Sequence, residues 1–400
     1  MAFNIRDGVS LEMEDYINMN IKERIMKEQS KKFENFKMCT RDFESITFEE
    51  AYSKDLYALK VNQLDVKYIE PYMIYIIFVR LLEFKHSYKP IEKILYEIPF
   101  KYKDSYGVFS MGKFGLRLEV TSKEATKSLF ERLSSASKIA ENLLKPFITE
   151  AIDNGEITIE NQTAILKQRY LYFRKRVEGI YEATKNKEDY CKGSISNRLS
   201  LRINREKKII FNTQAMLDAY FSFQEHLLIM LLPFSKIDFR AEPIPYIIDS
   251  NWSDKFKKVF DIKNNPEILP YYEMLKKVKE VRNKYAHGGF EKKDGSLFAH
   301  IKGIGAIPVE MPTELDEMFS FVLIKDVKYE DICEAIDGFE GYLNKSNWER
   351  PIKIVDFITE MRFDADYISE LRSAITSEEN LDFFLEKEAY LYDRDTNMDW

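Results

Sequence analysis

NPEILPYYEMLKKVKEVRNKYAHGGF, residues 265–290, holds the clearest helical pattern in the chain and the side chains best suited to chemistry. Asn265-Pro266-Glu267 is a start signal: a capping residue, a proline at the first turn, and an acid at the positive end of the helix dipole. Pro270 allows the start to fall a few residues later. Tyr272, Leu275, Val278, Val281 and Tyr285 recur at helical steps and mark a buried face. Gly288-Gly289 supplies the stop. Arg282, Asn283 and His287 cluster at the end of this helix. Asn283 and His287 are four apart and share a face. Arg282 and His287 are five apart, offset by about 140°. They converge if the last turn frays or if the long arginine wraps round, and a helix end before two glycines permits both.

The rest of the chain bounds what this helix serves. There are 400 residues, 45% apolar and 32% charged, which suits a soluble protein of two or three domains. Only 14 glycines argue for helix and against a fold built on glycine loops. Net charge is −7, so any nucleic-acid site must be local. Cys39, Cys191 and Cys333 are far apart and odd in number; they suggest neither disulfides nor zinc, and point to a reducing cytoplasm. The start, MAFNIRDG, has no apolar signal core. The run YMIYIIFVRLLEF (72–84) is too short for a bilayer and contains Arg80, so no membrane association is expected.

Periodicity predicts a mainly α protein. Helices are expected over 9–38, over 68–98 with a break near Pro90, from a Thr121/Glu124 capping box to Asp153, and over 159–185. The stretch 101–120 loses the helical period and reads as a small hairpin. Further helices are expected over 212–232 with Asn212 as cap, 253–260, 267–287, 329–345 and 352–373, with a hairpin at 296–312. The expected division is a helical N-terminal domain with a short β element (1–190), a helical bundle with a hairpin insertion (205–350), and a helical extension with an acidic tail (351–400). The last two dozen residues hold eight acids against two bases. From Lys167 to Lys208, 13 Lys or Arg face five acids, and aromatic residues interleave them. Lys167, Arg169, Arg174, Lys175 and Arg176 are therefore candidates for tracking a nucleic-acid backbone. The bland reading is a solvated helix face.

Two patterns are set aside. Gly107–Lys113 resembles a phosphate loop, but Phe114 stands where Ser or Thr must hold magnesium. Arg80 and His86 repeat an Arg–His spacing inside an apolar helix, where packing explains them. By contrast, an arginine, an amide and an imidazole at one helix end suit RNA cleavage without metal or cofactor. The ribose 2′-OH attacks its own phosphorus, the imidazole moves the proton, and the guanidinium holds developing charge. The structural alternative is that Arg and His merely complement the helix dipole.

R-N-x-x-x-H at a helix end, after a helix ending EHLLIMLLPF (225–234), resembles the HEPN superfamily. The resemblance covers roughly 212–345. It implies a HEPN-like bundle, often a metal-independent endoribonuclease of prokaryotic defence or toxin systems, with Arg282, Asn283 and His287 as catalytic residues. It also implies a homodimer that brings two Arg–His sets to one cleft. Many toxin members carry Tyr two residues after the His; here that position is Gly289. Glu225 is a candidate supporting residue on the opening helix, and His300 could overhang the cleft. The expected partners are RNA, a second copy, and a protein bound through the N-terminal domain or acidic tail. The alternative is a non-catalytic HEPN module that binds RNA or a partner protein within a larger complex.

Overall fold

The computed structural model describes residues 22–60, 69–87, 93–185, 195–239, 241–286, 297–310, 320–321 and 328–397. The chain divides into two compact units: Met1–Glu150 with Lys387–Trp400, and Ala151–Glu386.

The first unit is helical, as expected, but its β element is larger than the short one the sequence suggests. Residues 22–28 and α1 (Ser30–Thr40) are helical as expected. They are followed by β1 (Phe43–Ser45), α2 (Phe48–Tyr52), β2 (Tyr57–Lys60) and α3 (Pro71–Tyr75), which continues as a π-helical turn over Ile76–Leu81. The helix expected over 68–98 stops there, because β3 (Ile94–Tyr102) is a strand. The hairpin read at 101–120 is larger than expected: β4 (Ser105–Gly112) and β5 (Gly115–Val120) join β3 in a five-stranded antiparallel sheet of order β1-β3-β4-β5-β2. Strand β3 is buried along most of its length, so it lacks the alternation that marks a half-exposed strand. Ile98, Phe109 and Leu118 align across the sheet and share a core with Phe78 of the π-helical turn.

Helix α4 (Glu124–Asp153) adds Leu129, Leu133, Ala136, Ala140 and Leu143 to that core, the stripe read in the sequence. Its start is capped one residue later than expected. Ser122 Oγ accepts from the Ala125 amide at 3.4 Å, while Thr121 Oγ1 accepts from the Tyr106 amide at 3.1 Å and ties the helix entry to the sheet. Gly107 is a packing requirement: a Cβ there would lie 2.6 Å from Phe100 Cζ and 2.8 Å from the Glu119 carbonyl oxygen. Gly107→Val is expected to destabilise this unit by about 1–3 kcal/mol, as overpacking does, read as a lower thermal midpoint.

The second unit opens with β6 (Thr158–Glu160), α5 (Thr163–Lys185) and α6 (Ile195–Leu231). Then come α7 (Ile244–Asp249), α8 (Trp252–Phe260) and α9 (Leu269–Ala286), followed by a sheet of β7 (Leu297–Ile301), β8 (Gly305–Glu310) and β9 (Ser320–Phe321). It closes with α10 (Tyr329–Leu343), α11 (Glu349–Phe357), β10 (Glu360–Arg362), α12 (Ala365–Ala374) and the first part of α13 (Glu378–Asn397), whose residues from Lys387 on belong to the first unit. All four helices expected for the bundle are present. Helix α6 is longer than expected: Asn212 sits in its interior and donates to the Lys208 carbonyl at 2.7 Å, so it caps nothing.

The boundary expected near 190–210 does not coincide with the division at 150/151. Helices α5 and α6 pack together through Tyr170 and Tyr220, whose ring centroids are 5.1 Å apart, and both belong to one core. The single helix expected over 352–373 is interrupted by β10, which pairs with β6. Asp364 then starts α12 by accepting from the Tyr367 amide at 2.9 Å. The acidic C-terminal stretch is also part of the fold: α13 buries Leu381 and Phe384. No described helix is long and apolar enough to cross a membrane.

Candidate functional site

Pro266–Ile268 form a short 3-10 turn and helix α9 follows from Leu269, the later start that Pro270 allows; Asn265 makes no side-chain capping hydrogen bond, contrary to expectation. Its inner face, Tyr272, Leu275 and Val278, is buried against α6 and α8 in the core. Arg282 and Asn283 therefore emerge at the last turn, half-buried. His287, the residue after the helical Ala286, lies outside the described residues, as do Gly288 and Gly289.

The Arg282 guanidinium is anchored across the helix pair. Its Nε donates to Asp218 Oδ1 on α6 at 2.7 Å, and its Nη1 to the neighbouring Asn283 Oδ1 at 3.3 Å. A guanidinium carries five N–H donors, and these bonds use two. Asn283 thus orients the arginine, one of the roles an amide at that position can take.

One turn before Arg282 on α9 stands Lys279, and seven residues after Asp218 on α6 stands Glu225. The two helices therefore present a second ion pair beside the first. Glu225 Oε1 is 3.5 Å from Lys279 Nζ, and its Oε2 is 3.5 Å from Lys255 Nζ on α8. Lys255 is 5% exposed, so Glu225 supplies the counter-charge a buried ammonium requires. Lys279 Nζ lies over the rings of Trp252 and Phe221, 5.2 and 5.6 Å from their centroids. Burial lowers the Lys279 pKa below its ordinary value; Glu225 opposes that shift and the Arg282 charge adds to it. Glu225, read in the sequence as a supporting residue, contacts the lysines rather than Arg282. Asp218, Lys279 and Lys255 were not singled out. The heptad spacing of Asp218 and Glu225 and the three-residue step from Lys279 to Arg282 were the available signals.

His226 is structural. Its Nε2 accepts from the Gln162 amide, 2.8 Å away, just before α5. Burial lowers its pKa, against the opposing pull of Glu160. A histidine kept neutral in the fold binds fewer protons than in the unfolded chain, so stability rises with pH through this window. Acidification below about pH 6.5 is expected to destabilise the wild type more than His226→Gln, whose amide oxygen still accepts. Urea midpoints across pH 5–7 check this. His300 is exposed on β7, across from Ala306 of β8. Arg80 and His86 both pack round Tyr75: the guanidinium lies 4.9 Å from its ring centroid, and the imidazole 6.1 Å away edge-on.

The basic residues of α5 part company. Arg174 turns inward, its side chain 18% exposed. It pairs with both Asp337 oxygens on α10, with Glu178 Oε1 at 2.9 Å and with Tyr170 Oη at 2.7 Å. Lys167 is half-buried, 5.8 Å from the centroid of the Phe223 ring. Arg169, Lys175 and Arg176 are exposed, and Arg176 lies over Tyr172. Residues 186–194 of the basic stretch are outside the described residues. A hollow of about 680 Å³ elsewhere in this unit, lined by Glu156, Asp238, Asp364, Asp366 and Arg372 among others, contains none of the expected site residues. Among the described residues no group of three or more His, Cys, Asp or Glu could hold a metal ion.

In comparison with known proteins, the chain matches no family model, no curated protein and no solved structure.

Proposed function

We propose that the second unit is a metal-independent endoribonuclease of HEPN type, with Arg282 and His287 as its reacting groups. The observation that carries this reading is the anchored guanidinium. Arg282 stands at the end of a helix with two of its nitrogens held by Asp218 and Asn283, and His287 follows five residues later in the sequence. In this reading His287 moves the 2′-OH proton while Arg282 neutralises the charge gathering on phosphorus. Asp218 keeps the guanidinium aimed without touching substrate. A homodimer would set two such pairs in one cleft, and a role in defence or as a toxin fits an RNase that needs no cofactor.

The test is a single RNA strand incubated with the purified chain in excess EDTA. Fragments ending in 2′,3′-cyclic phosphate with 5′-OH partners are expected. Cleavage of an all-deoxy strand, or activity that chelation abolishes and magnesium restores, would overturn the mechanism.

A second reading has its own observation. The Arg282–Asp218 bond ties α9 to α6, which is also what a purely structural arginine would do in a non-catalytic module. Asp218→Asn separates the two readings. As a positioning residue, its loss should lower kcat roughly tenfold with little change in melting temperature. A large fall in melting temperature with no cleavage in the wild type favours the structural role.

A further inference from the structure

The phosphate-loop look-alike of the first unit folds into something else. Residues Gly107–Gly112 lie in β4, and Lys113-Phe114 forms the two-residue turn into β5. Phe114 stands at the tip of this hairpin, 78% exposed. One exposed apolar side chain is ordinary on a protein surface. Its setting here is not.

Three cations surround the tip: Lys113 in the turn, Arg117 on β5, and Lys93 just before β3, all exposed. Among the described residues none of the three forms a salt bridge. Lys93 is brought there by a specific device. The Lys113 amide donates to the Lys93 carbonyl at 3.1 Å, and a Cβ on Gly112 would lie 2.9 Å from that same oxygen. Gly112 is therefore what lets the two segments close up. Lys93 itself takes φ +71, a left-handed conformation that glycine or asparagine adopts more readily. Such local strain concentrates where a side chain is used. Gly115, at φ +97, completes the turn and leaves open space about its Cα.

We propose that this hairpin tip binds single-stranded RNA, with Phe114 stacking on one base and Lys93, Lys113 and Arg117 holding the flanking phosphates. An aromatic ring amid exposed cations is the combination that single-strand binding uses, because every base offers a face and every linkage a charge. The ring needs an unstacked base, which a duplex does not present. A single ring buries too little apolar area to hold a bilayer surface. In a chain of net charge −7, polyanion binding must come from a local cluster of this kind. The proposal gives the first unit a substrate-holding role and rests on the ribonuclease reading only for the choice of RNA over DNA.

The test uses fluorescence anisotropy of the full chain with a short 2′-O-methyl RNA single strand, which 2′-OH chemistry cannot cleave. Phe114→Ala is expected to weaken binding by about 5- to 150-fold, the range for losing one base stack, and Phe114→Trp to retain it. Lys113→Gln and Arg117→Gln should each lower the slope of log K against log salt by about 0.7. Since Phe114 is exposed, these variants should melt with the wild type. Unchanged affinity in Phe114→Ala, tighter binding to the matched duplex, or no binding by the wild type would each overturn the proposal. So would a Phe114-dependent association with phosphatidylserine vesicles in place of RNA. The two readings fail separately. Phe114-dependent binding without any cleavage of ordinary RNA overturns the ribonuclease alone; EDTA-resistant cleavage with Phe114-independent binding overturns the hairpin alone.

Discussion

Arg282→Ala and His287→Ala are each expected to lower RNA cleavage by two to four orders of magnitude, roughly what removal of a general acid–base or an oxyanion donor costs. Initial rates of 3′-fragment release in EDTA measure it. Arg282 is half-buried at a helix end, so its loss should leave the fold intact by circular dichroism. It does strand Asp218, but that carboxylate is 42% exposed and water can solvate it. Arg282→Lys tests the geometry: an ammonium supplies the charge but lacks the separate Nε and Nη1 donors that meet Asp218 and Asn283, so activity should stay low. Expression of the intact chain should arrest growth, and His287→Ala should relieve the arrest. Full cleavage by either alanine variant would remove the helix end from the chemistry.

Arg174→Ala should cost folding stability and leave RNA affinity nearly unchanged. The side chain joins α5 to α10 through Asp337 and also meets Glu178 and Tyr170. Breaking a well-buried ion pair costs about 3–5 kcal/mol. Asp337 is 53% exposed, so a loss of roughly 2–3 kcal/mol is expected, read from the urea midpoint. Arg169→Ala and Lys175→Ala, on the exposed face, should stay within about 0.5 kcal/mol of the wild type. A stability match between Arg174→Ala and Lys175→Ala would show that the Asp337 pair contributes nothing.

That contrast shows where reading the sequence stops. Arg174, Lys175 and Arg176 form one basic run in the chain. Successive helical residues turn by about 100°, so the three point in different directions and a neighbouring helix can claim one of them. Which one turns inward depends on Asp337, 163 residues away. The sheet of the first unit was read only in part for a related reason. Strand β3 is buried on most of its length and shows no polar alternation, so its apolar run passes for helix until β4 and β1 are seen beside it.

Short-range patterns determined the rest. The stripe Leu129–Leu133–Ala136–Ala140–Leu143, the Pro266 start and the buried face of α9 are each written within a few turns of chain, and each is present in the structure. The adjacency of Arg282 and Asn283 at a helix end was legible on the same grounds. Tertiary structure alone decided what holds them. Asp218 lies 64 residues before Arg282, Glu225 reaches Lys255 and Lys279 rather than the arginine, and Lys93 meets Lys113 only because Gly112 has no side chain. Local propensity acts through neighbours on one helix or strand; a charge's partner is selected by packing that brings distant segments together, and no period in the sequence records that choice.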